Sequence, residues 1–89
     1  MIELALINWL HDGDYRIKVL RLLKSSPDIP TNISKKLEIH KSSLSRILND
    51  LYDKKLIEKI TSDSRTITYK ISNLGEETLN EFDKKNGSK

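Results

Sequence analysis

The stretch Glu38–Leu51, EIHKSSLSRILNDL, decides how the chain folds. Its apolar residues Leu44, Ile47, Leu48 and Leu51 recur at i, i+3, i+4 and i+7, a narrow stripe on a period of about 3.6 residues. At about 100° per residue, Ser42, Ser45, Arg46 and Asn49 project together from the opposite side of such a helix. A face that only meets water favours Glu and Lys, which form helices well, whereas serine and asparagine form them less well. Something other than helix propensity selects this front.

On the N-terminal side, IPTNISKKLEI predicts a short helix of about two turns, with Pro30 near its first position, where a missing N–H costs little. Ile33 and Leu37 supply its inward contacts. Before it, DYRIKVLRLLKSS predicts a helix over residues 13–25, stopped at Ser26-Pro27 because the residue before a proline avoids helical backbone. Tyr15, Ile17, Val19, Leu20, Leu22 and Leu23 cover much of its circumference, which places it at the centre of the core. The quoted helix itself is expected from Lys41 to Lys55, and the short gap before it sets two helices at a steep angle.

On the C-terminal side, Thr66, Thr68 and Lys70 alternate with Ile67, Tyr69 and Ile71, the period of a strand with one buried face. Ser62, Asp63 and Ser64 are turn formers, so Glu58–Thr61 is expected to pair with Thr66–Ile71 as a β-hairpin. SNLGEETLNEFDKK then predicts a helix capped by Ser72, with Glu76 and Glu77 in the first turn, Lys84 and Lys85 in the last, and Leu79 and Phe82 on one sticky side. The expected order is helix, helix, helix, hairpin, helix: a mainly α fold with a small β-hairpin, one domain over residues 1–85 and a flexible tail at 86–89.

Charge is unevenly spread over the 89 residues. Sixteen basic residues against thirteen acidic ones give a net charge of +3, and residues 35–70 alone hold nine bases and five acids. Residues 1–14 hold Glu3, Asp12 and Asp14 and no base. Positive charge thus gathers around the quoted helix, which favours a polyanionic partner. The absence of cysteine excludes disulfides, thiolate metal sites and cysteine nucleophiles. The apolar start, MIELALINWL, is too short to span a bilayer and lacks a basic flank, so a soluble, cytoplasmic protein without a membrane partner is expected.

Taken together and in order, these elements resemble the winged helix-turn-helix domain of DNA-binding regulators, three core helices plus a wing and a C-terminal helix, closest to small archaeal and bacterial regulators of the MarR and ArsR type. The motif is carried by NISKKLEIHKSSLSRILNDLYDKKLIEK: Ser34 at the small site where two helices touch, Leu37 and Ile39 inward, Ser42 and Ser43 early in the second helix, and Ser45-Arg46 after Leu44. YKISNLGEETL resembles the last wing strand and the start of the closing helix. Two positions depart from the pattern. Glu38 stands where glycine is frequent, so the turn is expected to be rebuilt or strained, and Ile29 stands where a capping oxygen is usual, leaving Asp28 or Thr31 to substitute.

The resemblance implies double-stranded DNA as partner and a homodimer on a pseudo-palindromic site. Ser42, Ser43 and Ser45 are short enough to let the helix approach a major groove, and their hydroxyls donate to phosphates or base edges. Arg46 suits guanine or phosphate bidentately, and Asn49 suits adenine. Lys41, Lys35 and Lys36 are candidate phosphate contacts beside a helix N-terminus. At the wing, the resemblance implies that Arg65, flanked by Ser62 and Ser64, reaches a minor groove or flanking phosphate. The apolar ends Ile2–Leu10 and Leu79–Phe82 are expected to need a second copy for burial.

Other readings are weaker. Lys35, Lys36, Lys54, Lys55 and Lys59 taken singly read as solvated surface, His40 as a cap or a packing residue in the turn, and Trp9 as core or interface. His11, Asp12 and Asp14 make a poor ligand set, and no cofactor is expected. Asp50, Asp53 and Glu58 have no histidine or glycine-rich loop nearby, so no enzyme constellation is present. The alternative function is a winged-helix protein-interaction module without DNA binding.

Overall fold

The computed structural model describes residues 4–60 and 67–85. In chain order these form α1 (Leu4–His11), α2 (Asp14–Ser25), α3 (Pro30–Leu37), α4 (Lys41–Asp53), β1 (Ile57–Ile60), β2 (Thr68–Ile71) and α5 (Asn73–Lys85). The described helices number five, one more than the sequence pattern gives. The addition is α1, read above only as an apolar start. Its stripe is broad and it has no acidic residue in its first turn, so its helicity is secured by burial of Ile7 and Leu10 against α2 and α5.

Helix α2 is the centre of the molecule, packing on α1, α3, α4, α5 and β2. Ile17, Val19, Leu20 and Leu23 are buried and Leu22 is half-buried against them, but Tyr15 is exposed and belongs to the surface, where Lys18 Nζ lies 5.0 Å from its ring centroid. The helix stops as the proline rule requires, with Ser26 extended before Pro27. Trp9 fastens three elements: Arg16 lies 4.0 Å from its ring centroid and donates to its carbonyl, while Lys54 Nζ, just beyond α4, lies 5.3 Å from the ring.

The turn between α3 and α4 is not rebuilt. Glu38 takes left-handed backbone, φ 58° and ψ 47°, and Ile39 N–H donates to Ser34 O at 3.1 Å while Glu38 N–H donates to Lys35 O. That pair of bonds is a Schellman closure, which ordinarily employs glycine at the left-handed position. Helix α4 ends in the same way, two residues earlier than expected. Lys55 has φ 66°, its N–H donates to Tyr52 O at 2.9 Å, and Leu56 N–H donates to Leu51 O at 3.0 Å, which seals two fully buried leucines against each other. Ser34 is buried at the crossing of α3 and α4, its hydroxyl donating to Thr31 O at 2.9 Å.

The wing pairs β1 and β2 antiparallel, Ile57 opposite Ile71 and Lys59 opposite Tyr69. It starts at Ile57, one residue before the expected Glu58, because Leu56 and Ile57 are drawn into the core. Thr61 and Thr66, expected in the strands, lie outside the described residues, as does the tail expected at 86–89. A third extended segment joins the sheet: Asp28 exchanges both backbone bonds with Tyr69, at 3.0 and 2.8 Å. Ser72 caps α5 as its sequence predicts, accepting from Gly75 N–H at 3.0 Å and donating its own proton to Lys55 O at 2.7 Å. At Gly75 an added Cβ would sit 2.1 Å from Leu56 O, so only glycine lets α5 come this close to the chain leaving α4.

Candidate nucleic-acid interface

Helix α4 divides by side. Leu44, Leu48 and Leu51 are buried with at most 2% exposure and Ile47 is half-buried, whereas Lys41, Ser42, Ser43, Ser45, Arg46 and Asn49 are all exposed. The stripe read from the sequence is the buried side, and the residues expected to contact DNA stand together on the open side. His40 occupies the N-cap position but its side chain makes no capping bond, so it does not cap α4 as one of its two readings had it. The N-terminus of α4 therefore presents its first amide groups, with their partial positive charge, beside Lys41 and the serines.

The candidate cations differ in availability. Among the described residues, Lys35, Lys41 and Arg46 have no acidic partner, while Lys36 is tied to Asp28 at 2.9 Å. Asp28 supplies the missing order at the start of α3: one oxygen accepts from Ile29 N–H at 2.8 Å and from Asn32 at 3.0 Å, the other from Lys36. Thr31 is not the substitute. The Lys36 hydrogen bond above all, helped by Asn32 and the Ile29 amide and opposed by burial, holds the Asp28 carboxyl below its ordinary value. Because the folded pKa is the lower one, this stabilisation is present above the unfolded pKa and disappears as pH falls through the folded value. Ser62, Ser64 and Arg65 lie outside the described residues.

The outward surface also contains two acids that the sequence reading did not connect with it. Asp50 and Asp53 are exposed near the C-terminal end of α4, and the same helical arithmetic puts Asp53 under Arg46 and Asn49 and Asp50 on one flank. The front is thus hydroxyl-rich and cationic in its first half and acidic in its last. Among the described residues no three His, Asp or Glu side chains come together as metal ligands, and no helix is long and apolar enough to cross a membrane.

A bridged two-strand wing, a helix-turn-helix with an open second helix, and a closing helix are the parts of one fold family. A winged helix-turn-helix family model matches residues 15–88, and the chain belongs to that family. Its solved neighbours include a mutant of E. coli MarR complexed with operator DNA, at TM-score 0.77 and 21% identity over 88% of this chain and 58% of that one. A structure of the multiple antibiotic resistance repressor MarR matches at TM-score 0.77 and 20% identity over 99% of this chain and 78% of that one. The transcriptional regulator BldR from Sulfolobus solfataricus matches at TM-score 0.72 and 17% identity over 78% and 51%. At these identities the likeness is one of fold, that of MarR-type winged-helix regulators, and the chain spans about half the length of the first solved relatives it matches. No curated protein matches it.

Proposed function

We propose that the protein is a sequence-specific double-stranded DNA-binding transcriptional regulator rather than an enzyme, with α4 in the major groove and the wing on the flanking backbone or minor groove. The observation that carries this reading is the open side of α4: six small or cationic candidates exposed together above a fully buried leucine stripe. Ser42, Ser43 and Ser45 let the backbone of α4 come close, Arg46 and Asn49 supply base-edge contacts, and Lys35 and Lys41 bind phosphates; Ser62, Ser64 and Arg65 are assigned to the wing contact and Lys36 to a weaker phosphate contact. Among the described residues there is one such helix, enough for one half-site, so we assign a homodimer on a pseudo-palindromic site. We assign the site to one domain over residues 1–85 and the protein to the cytoplasm.

Binding to duplex is expected to weaken steeply with salt, and Arg46→Ala to cost about 1–3 kcal/mol at the preferred site, selected from random duplexes, with a smaller loss on mixed-sequence DNA. Equal losses on both reduce Arg46 to a phosphate contact. Duplex titrated at low salt is expected to shift amides of residues 41–49 and 62–66; shifts confined elsewhere, or none, leave a protein-interaction module.

A further inference from the structure

The side of α4 that faces the wing carries an arrangement the DNA-contact residues do not include. Tyr52 follows Ser45 by seven residues and Asn49 by three, so the three stand on one ridge of the helix. Tyr52 is 43% exposed, and Lys59 of β1 holds its Nζ 4.4 Å from the centroid of that ring. Lys59 is exposed and has no acidic partner among the described residues, whereas the other wing-strand lysine, Lys70, lies 3.7 Å from Glu58. The register explains the difference: Glu58 and Lys70 are opposite one another on one face of the hairpin, and Lys59 shares the other face with Ile57 and Tyr69, toward α4. An ammonium placed on an aromatic face turns part of its N–H set to the ring and keeps the remaining donors for a second, anionic partner. Asp50 stands on the far flank of α4 and Asp53 on its front, so a phosphate strand passing the C-terminal half of the helix is steered to the Tyr52 side.

We infer that Lys59 is a phosphate contact of the DNA interface, with Tyr52 as the positioning residue that holds its ammonium beside the Ser45–Asn49 ridge. This rests on the proposed DNA-binding reading and extends it to a second line of backbone contact, between α4 and the wing.

The test is fluorescence anisotropy of the full chain on a mixed-sequence duplex of about 20 base pairs, with salt varied from about 50 to about 200 mM. Each phosphate contact contributes about 0.9 to the slope of log affinity against log salt, so loss of one makes the advantage of wild type over variant shrink about 3.5-fold across that range. Lys59→Gln is expected to show that change, and Lys70→Gln, which removes the same charge from the paired lysine, to keep the wild-type slope. Tyr52→Phe is expected to behave as wild type. Tyr52→Leu is expected to move toward Lys59→Gln, and the double variant to show no greater change than Lys59→Gln alone. An unchanged slope in Lys59→Gln, an equal change in Lys70→Gln, or wild-type behaviour of Tyr52→Leu overturns the inference while leaving DNA binding in place. A wild-type protein without salt-dependent duplex binding removes the functional reading and this contact with it. Both side chains are exposed, and thermal unfolding of each variant verifies that the fold is retained.

Discussion

Glu38 and Lys55 occupy the left-handed region at φ 58° and 66°, one on either side of α4. An L-residue there costs about 1–2 kcal/mol, which glycine avoids at the expense of about 0.5–1 kcal/mol of extra chain entropy in the unfolded state. Glu38→Gly is therefore expected to stabilise the domain by about 0.5–1 kcal/mol and raise Tm by about 4 °C in a thermal melt; a lowered Tm means that the Glu38 side chain makes a compensating contact. The two Schellman closures fix where α4 begins and where the chain turns into β1, so the direction of the open helix depends on backbone bonds at these two residues. Glu38 was conspicuous in the sequence because the helix-turn-helix resemblance puts glycine there. Lys55 was not, since KK in the expected last turn of α4 reads as ordinary helix.

As an element, α4 is a rod with two halves on its open side. Lys41, the serines and Arg46 are followed by Asp50 and Asp53, and all are exposed. In the proposed interface, acids near phosphates repel them and suppress binding to any duplex, while binding at the preferred site is offset by the base contacts proposed for the first half. Asp50→Asn combined with Asp53→Asn is expected to tighten binding to mixed-sequence duplex about threefold at low salt, the scale of an exposed charge interaction, and to narrow the preference for the selected site. Binding that weakens at the selected site instead assigns an acid to a cytosine amino group. The closing helix is fixed by different means: the Ser72 cap and the contact of Gly75 with the backbone of Leu56 lock α5 to the exit from α4, so the wing, α4 and α5 share one joint.

At the scale of the whole molecule, the two apolar ends meet inside one chain. Helix α1 packs on α5, Ile7, Leu10 and Leu79 are buried, and His11 lies 4.7 Å from Phe82, ring centroid to centroid. The burial argument for a second copy thus falls away for these residues, and the proposed homodimer rests on the pairing of one α4 with each half of a proposed two-half-site operator. Sedimentation of the free protein at concentrations on the order of tens of micromolar is expected to show dimer; monomer alone under those conditions removes the homodimer. The sequence by itself determined the features that depend on neighbours within a few positions: the sidedness of α4, the stop at Pro27, the Ser72 cap and the alternation of β2, because helical and strand periods are local. Only the tertiary structure decided that the first ten residues include a helix, that Asp28 bridges to Tyr69, that Lys36 is tied to Asp28, and that Lys59 lies over Tyr52. Each of those is settled by surfaces brought together from separate elements, where burial and charge choose among conformations that local sequence leaves equal in energy.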